Sequence, residues 1–390
     1  MNFPLVSREA KLKNGLLSSE NLPKIFLKVI DSRKKYAIIY LRPIKWRGNM
    51  ASIKQFEERK DNISSIVSFV RANQKVTRRE ICNALSMSWA CVSELVAILI
   101  EDGILIESDC GARTTSAAKG RNPSYLSLNE KKYFIGIDIN DSGFAITSLS
   151  INGEMISSKK WEAESFATEE ALELSVCKKI SEFLCDKKNC CGIGIAMEGM
   201  RSESGSFRYP IADNWVPVFP QLFVAKHFGL PVSIRHDPEC VLYSVAHTCQ
   251  DCVTVRVDNW IGVAAMKRGK ILDLPLELGS IRYGKKKLHH ILHNCAQSGD
   301  YCEIAEALGR SVGNLTILLG IETCFLAGEI TEWLEGCRDR FEVAFKEANP
   351  RGEYKMCFVS DASDGAARLA LADFPTLHIS TKGAPHNESQ

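Results

Sequence analysis

Ser88, Trp89, Ala90, Ser93 and Glu94 fall in the first turn and a half of a helix expected after Met87. Hydroxyls, an indole and a carboxylate there can reach base edges from a major groove, which is how a recognition helix reads DNA. Glu94 repels phosphates unless it accepts from a cytosine amine, and Trp89 could instead pack on the preceding helix. Arg113, Lys119 and Arg121 lie in an irregular loop rich in Gly, Ala, Ser and Thr, where they can reach phosphates or a narrow minor groove. Cys249-Gln250-Asp251-Cys252 has chelate spacing, yet a lone pair of this kind before a strand is more often plain packing.

These groups need a frame. Ile63, Ile66, Val67 and Val70 recur at helical spacing and predict one apolar stripe. Thr77-Arg78-Arg79-Glu80 reads as a capping box opening a second helix that buries Ile81 and Leu85. After a short turn at Ser86-Met87-Ser88, a third helix runs to about Asp102, with Val92, Leu95, Val96, Leu99 and Ile100 inward, and Gly103 ends it. Ile104–Ile106 and Tyr125–Leu128 read as two strand arms. Three helices and a two-stranded wing make a winged helix-turn-helix over residues 50–128; a three-helix interaction module is the alternative. Residues 1–49 read as a weakly ordered extension or as an early start assignment, with Met50 as the alternative start.

From about residue 129 strands and helices alternate. Tyr133–Ile139, Phe144–Ile151 and Met155–Ala163 form an antiparallel meander turned at Asn152-Gly153; a helix, the strand Cys191–Met197, and further helix and strand segments follow to about 248. A second round begins at Val253–Val257 and Gly262–Lys267 and continues through helices at about 300–319, 331–347 and 363–373. This repetition predicts an α/β chain with two lobes, about 129–248 and 249–375, of the actin-like, sugar-kinase (ribonuclease H-like) architecture.

The 390 residues, 45% hydrophobic and 25% charged, fit a globular protein of two or three domains. No apolar run reaches the roughly 18 residues of a membrane span, and Met1–Gly15 lacks a secretory core. The 15 cysteines therefore point to a reduced, cytoplasmic chain without a disulfide framework. Charge is uneven: 21 Lys+Arg against 13 Asp+Glu in residues 1–130 leave +8, and 28 against 34 in the rest leave −6. A basic head on an acidic body suits a nucleic-acid partner.

The chain resembles the ROK proteins (repressors, open reading frames and kinases), among them the xylose and N-acetylglucosamine repressors. The likeness rests on Gly120-Arg121-Asn122-Pro123-Ser124-Tyr125-Leu126 before Tyr133-Phe134-Ile135-Gly136-Ile137-Asp138-Ile139. Gly192–Gly199 resembles the family's "GIGIAxPG", Leu230-Pro231-Val232 with Arg235-His236-Asp237 its "LPVxxEND", and Leu276-Glu277-Leu278-Gly279 its "GEIGH"; Phe325–Glu329 is similar to its late glycine turn. The resemblance implies that Asp237 stands at the kinase base position and that Asn214 and Glu277 stand at hydroxyl-binding positions. His236 and Glu198 replace the usual Asn and Pro. Asp237 also reads as a carboxylate at a helix N-terminus.

The departures bear on function. Phosphoryl transfer needs two Gly/Thr turns whose amides hold phosphates. In place of "DxGGT" stands Asp138-Ile139-Asn140-Asp141-Ser142-Gly143, and in place of "GTGIG" stands Val257-Asp258-Asn259-Trp260-Ile261-Gly262. Asp258 and Trp260 bring a carboxylate and an indole to a place meant for an anion. The family's zinc site would use a His where Ser280 stands, and three thiols of which only Cys295 and Cys302 remain; His293, with His289 and His290, is a weak substitute. The expected protein is a non-enzymatic regulator without cofactor or metal. It would bind a double-stranded operator as a homodimer or higher oligomer and respond to a sugar or sugar derivative through Asn214, His236, Asp237 and Glu277. A kinase with a regulatory head, or a ligand-blind regulator whose body only dimerises, are the alternatives.

Overall fold

The computed structural model describes residues 50–109, 124–141, 143–199, 206–212, 214–246, 248–274, 276–357 and 361–382. The chain divides into two units, Met1–Arg59 and Lys60–Gln390; of the first, only the start of the first helix is described.

The helical segment comprises α1 (Met50–Asn73), α2 (Arg78–Leu85) and α3 (Trp89–Glu101). Thr77 and Glu80 form the expected capping box, the Glu80 carboxylate accepting from the Thr77 amide at 2.7 Å. Ser86, at φ 54°, ends α2, and Ser88 caps α3 by accepting from the Cys91 amide at 3.3 Å. The hydroxyl of Ser88 is thus partly spent on its own helix. Val92, Leu95, Val96 and Leu99 form the buried face of α3 against Ile63, Ile66, Val70 and Ile81. The hairpin β1 (Leu105–Asp109) and β2 (Ser124–Leu128) follows, with Val76 bridged to Leu126 on its other side. Arg113, Lys119 and Arg121 lie outside the described residues.

The next segment has β3 (Tyr133–Asn140), β4 (Gly143–Ser150), β5 (Met155–Glu162), α4 (Glu169–Phe183), β6 (Cys190–Met197), β7 (Phe207–Ile211), β8 (Asn214–Val218), α5 (Pro220–Phe228), β9 (Val232–His236) and α6 (Asp237–Val245). The last has β10 (Cys252–Val257), β11 (Ile261–Lys267), β12 (Lys270–Ile271), β13 (Arg282–Tyr283), β14 (Lys286–Lys287), α7 (Leu288–Ser298), α8 (Cys302–Leu319), β15 (Thr323–Ala327), α9 (Ile330–Trp333), α10 (Arg338–Ala348), β16 (Glu353–Met356) and α11 (Ser363–Lys382). The sheet orders β5-β4-β3-β6-β9 and β12-β11-β10-β15-β16 are the same design twice, three antiparallel strands continued by two parallel ones.

Three details depart from the sequence reading. The β7–β8 hairpin was hidden by Pro210 and Pro217, tolerated here because the two strands pair only with each other. The helix α7 is not signalled by the His-rich run that opens it. The single helix expected over 331–347 is broken: α9 passes into a 3₁₀ turn, Leu334–Cys337, before α10 starts. Gly336, a poor helix former, sits in that turn.

The helix α11 lies across β3, β4, β6 and β9, and its small residues Ser363, Ala366, Ala367 and Ala370 are buried. The approach is close because the facing strand residues are glycines: a Cβ at Gly194 would meet the Ala366 carbonyl at 1.7 Å, and one at Gly136 the Ser363 carbonyl at 2.0 Å. Gly194→Ala is expected to cost about 1–3 kcal/mol, since α11 must back away from the sheet. Urea unfolding checks this; a midpoint equal to the parent's would refute the contact.

Further along, Ala370 and Phe374 of α11 enter one core with Phe134, Ile151, the helical segment's Val70 and Val96, and Leu126 of β2. Phe134 and Phe374 meet edge to face at 5.4 Å, and Arg71 Nε donates to the Ile151 carbonyl at 3.0 Å. One helix therefore touches both the first five-stranded sheet and the α1–α3 core.

Candidate functional site

Strand β10 is uncharged except for Arg256, which is buried. A guanidinium cannot sit among valines unless carboxylates meet it. Its Nη2 lies 2.8 Å from Asp138 Oδ2 and its Nη1 3.0 Å from Asp138 Oδ1. Nη1 is also 3.3 Å from Asp237 Oδ2, and Nε donates to Asp258 Oδ2 at 2.6 Å. Asp138 comes from β3, Asp237 from the first turn of α6, and Asp258 from the β10–β11 turn, so one cation ties the two repeats of the fold together.

Three carboxylates share one guanidinium, and burial penalises the charge of Asp138 and Asp237. Burial pushes Asp138 up to about 6 although Arg256 opposes it, and Asp237 up to about 7, with Asp258 adding repulsion. Glu198, buried beside Asp141 and Asp237, is pushed well above the usual carboxylate range. Burial alone would lower Arg256, but the carboxylates of Asp138, Asp258 and Asp237 outweigh it and hold the guanidinium charged.

Two hollows flank this cluster. The larger, a cavity of about 350 Å3, is lined by His236, Asp237, Glu277, Glu198, Asp258, Trp215, Trp260 and His289, among others. Trp215 and Trp260 meet edge to face at 5.7 Å, and His289 Nδ1 is 2.8 Å from the Gly279 carbonyl. His236 Nε2 is 3.2 Å from Asp237 Oδ1, and burial lowers this imidazole's pKa. Of the four residues expected to bind ligand, His236, Asp237 and Glu277 line the cavity. Asn214 is not among its lining residues: its amide donates to the Ala212 carbonyl at 2.8 Å, which closes the β7–β8 turn, and the adjacent Trp215 faces the cavity instead.

The smaller hollow, about 230 Å3, is lined by Asp138, Asn140, Gly143, Lys160, Asp258, Glu329 and Asp361, among others. Asp138, Asn140 and Gly143 bring the first departing turn to it and Asp258 the second. The amides there are engaged internally: Asp258 Oδ1 accepts from the Glu329 amide at 2.8 Å, and Asp138 Oδ2 from the Ala362 amide at 3.0 Å. Asp141 donates its amide to Glu198 Oε2 at 2.8 Å and accepts from Asn259 Nδ2 at 2.9 Å, a second tie between the repeats. Lys160 pairs with Asp361 at 2.9 Å. Trp260 lines the larger cavity, not this one.

The zinc-motif residues do not converge. Cys295 is buried in the second core, His293 Nε2 lies 3.0 Å from Gln297 Nε2, and Cys302 Sγ lies 3.2 Å from Cys337 Sγ. Among the described residues the one group of three metal-capable side chains is Asp300, Cys302 and Cys337, which falls short of a closed four-ligand zinc site. The Cys249/Cys252 pair is packing: Cys252 is buried and its thiol donates to the Cys249 carbonyl.

On the helical segment, Trp89 is 60% exposed, which removes the option that it packs on α2. Ala90 and Glu94 are exposed and Ser93 half-buried on the same N-terminal end of α3. Sequence reasoning missed Arg256, although a charged residue in a strand of valines was a usable signal; it also missed Trp215, Arg208 and His289 as cavity residues.

No protein-family model matches the chain. The fold is that of the ROK proteins: a crystal structure of a ROK family transcriptional regulator, described as a homolog of the E. coli MLC protein, superposes with TM-score 0.65 at 16% identity, covering 84% of this chain and all of that one. A ROK family glucokinase from Streptomyces griseus, in complex with glucose and AMPPNP, superposes with TM-score 0.51 at 16% identity over 61% of this chain and 99% of its own. In sequence the chain is similar to a "Putative xylose repressor" of Caldicellulosiruptor sp. (strain Rt8B.4), 27% identical over 197 residues, 49% of this chain and 47% of that protein. The chain thus spans less than half the length of the curated relatives it matches. Among the described residues no helix is long and apolar enough to cross a membrane.

Proposed function

We propose that the chain is a DNA-binding transcription regulator of the ROK type, with a winged helix-turn-helix over about 50–128 and a two-lobed sensing body over about 129–390. The observation that carries this is α3: one face is wholly buried, while its N-terminal end presents Trp89, Ala90 and Glu94 outward beside a β-hairpin. Trp89, Ala90 and Ser93, with Ser88 in its capping role, form the reading end in this proposal. The body acts without phosphoryl transfer in this reading, because its two turns carry Asp141 and Asp258 where Gly and Thr would cradle phosphates, and the Asp141 amide is given to Glu198. It binds a hydroxyl-rich ligand beside Asp237 and Glu277 in the larger cavity, as a homodimer.

The helix α11 supplies a route between the two. Its first turn borders Asp138, and its Phe374 sits in the core shared with the helical segment. A ligand that shifts the Arg256 cluster would shift α11 and so the DNA-reading end. Only differential affinity between the two arrangements can drive this.

Fluorescence anisotropy with the DNA upstream of the gene tests the proposal. Sequence-selective binding that weakens steeply with salt is expected. Trp89→Ala should weaken it about tenfold or more with an unchanged melting temperature, since the ring is mostly exposed. Binding without sequence preference, or ATP-dependent phosphorylation of a hexose, would overturn it.

A further inference from the structure

Two helices bring their N-terminal ends to one pair of sulfurs. Cys302 is the first residue of α8 and Cys337 stands directly before α10, and their Sγ atoms lie 3.2 Å apart. The helices run side by side from that point: Gly309 of α8 backs onto Phe341 of α10, and Gly313 onto Phe345 and Ala348. A helix N-terminus favours a thiolate over a thiol, because unpaired amides and the macrodipole face it. Here two such ends meet at one site. A single thiolate satisfies both, with the remaining thiol as its hydrogen-bond donor.

The neighbours set the pair in place. The Cys302 amide donates to Asp300 Oδ1 at 2.9 Å, which fixes the entry into α8. Tyr301 and Trp333 stack at 4.6 Å with 13° between their planes, so the chain before Cys302 and the chain leading to Cys337 are held face to face. Bonded sulfurs sit about 2.05 Å apart, so the two thiols have about 1.2 Å to close, a distance that side-chain rotation covers. Other thiols are poorly placed for such chemistry. Cys190 and Cys252 are buried, and burial pushes both up to about 12. Cys302 and Cys337 are half-buried. The hydrogen bond with Cys337, with Asp300 adding to it, pushes the Cys302 thiol up to about 11, which leaves Cys337 as the attacking sulfur.

We infer that Cys302 and Cys337 are a peroxide-oxidisable thiol pair whose disulfide staples α8 to the segment that joins α9 to α10. The Cys337 thiolate attacks one oxygen of the peroxide, the O–O bond breaks, and water (an alcohol from an organic hydroperoxide) leaves with a proton from solvent. This makes a sulfenic acid on Cys337. The Cys302 sulfur then attacks the Cys337 sulfur as it gives up its proton. The S–S bond forms, the S–OH bond breaks, and the hydroxide leaves with that proton as water. The two thiols together lose two electrons and the peroxide gains them. In a reduced compartment such a bond is transient, which suits a sensor rather than a structural brace.

Treatment of the reduced full chain with hydrogen peroxide, followed by peptide mapping without reductant, tests this. Cys302 should be found linked to Cys337, and dithiothreitol should undo the bond. Because the bond joins residues 35 positions apart, the oxidised protein should melt several degrees higher than the reduced one. In Cys302→Ser the reaction should stop at the sulfenic acid on Cys337, which dimedone captures; Cys337→Ser should yield neither dimedone adduct nor disulfide at the same peroxide dose. Both changes replace sulfur by oxygen at half-buried positions, and melting curves report whether each variant is folded. The inference is overturned if both thiols stay free, if the bond forms between Cys249 and Cys252 instead, or if Cys302 in Cys337→Ser captures dimedone faster than Cys337 in Cys302→Ser. Zinc that copurifies and shields both thiols from peroxide would also overturn it, in favour of a metal held by the two sulfurs and Asp300.

Discussion

Replacing Arg256 by alanine should destabilise the body by about 3–5 kcal/mol at pH 7.5, the cost of leaving buried charge uncompensated. Asp138 and Asp237 are both buried, and Asp258 holds the same guanidinium at 2.6 Å. With the cation gone, these carboxylates must repel, take up protons or admit water. The loss should therefore shrink on going to pH 5, where protonation relieves the repulsion. Combining Arg256→Met with Asp138→Asn, Asp237→Asn and Asp258→Asn should recover much of the stability, because a neutral cluster no longer demands a counter-ion. Denaturant midpoints for the three proteins at the two pH values measure this. An Arg256→Ala protein as stable as the parent at pH 7.5 would mean that the cluster is hydrated and the tie between the repeats carries little energy.

The importance of Arg256 also shows what a sequence can and cannot disclose. The capping box at Thr77–Glu80, the alternating strands of both meanders and the small residues of α11 are local signals, and local physics is written in neighbouring residues. The two rounds of meander followed by helices and strands were read from the alternating pattern, whereas the order of strands in each sheet came from the fold. The partners of Arg256 did not, since Asp138 lies 118 positions away and only the closed fold brings them within hydrogen-bond distance. The departure of the two turns from the Gly/Thr pattern was legible, but what their side chains meet, the Glu329 amide for Asp258 and Asn259 for Asp141, was not. Asn214 turns its amide to the Ala212 carbonyl in the turn that follows Ile211, and Cys302 meets Cys337, which comes from the broken helix. In both cases a long-range match in type was satisfied by a different contact.

The Asp237 carboxyl makes the second large effect. Its pKa is raised from 3.8 to about 7 in the fold, chiefly by burial. Between those values the native state holds a proton that the unfolded chain has lost. Such a group contributes stability that is complete below 3.8 and is lost as pH rises through 7, the opposite of an ordinary paired carboxylate. Asp138 behaves likewise with its value near 6. His236 acts in the other direction, because burial lowers its pKa from 6.5 and acid below that value favours the unfolded chain. The cleanest window for Asp237 is therefore between about pH 6.5 and 8, where the melting temperature of the parent protein should fall. Asp237→Asn keeps the shape and removes the ionisation, so it should flatten this slope. At pH 8 it should melt higher than the parent, by a margin worth on the order of a few kcal/mol. The margin should shrink as the pH falls, to about half at pH 5.5, and close only near 3.8. Should Asp237→Asn instead be the less stable protein at pH 8, Asp237 would be an ionised, fully paired partner of Arg256, and any ligand reaching for it would have to break that pair first.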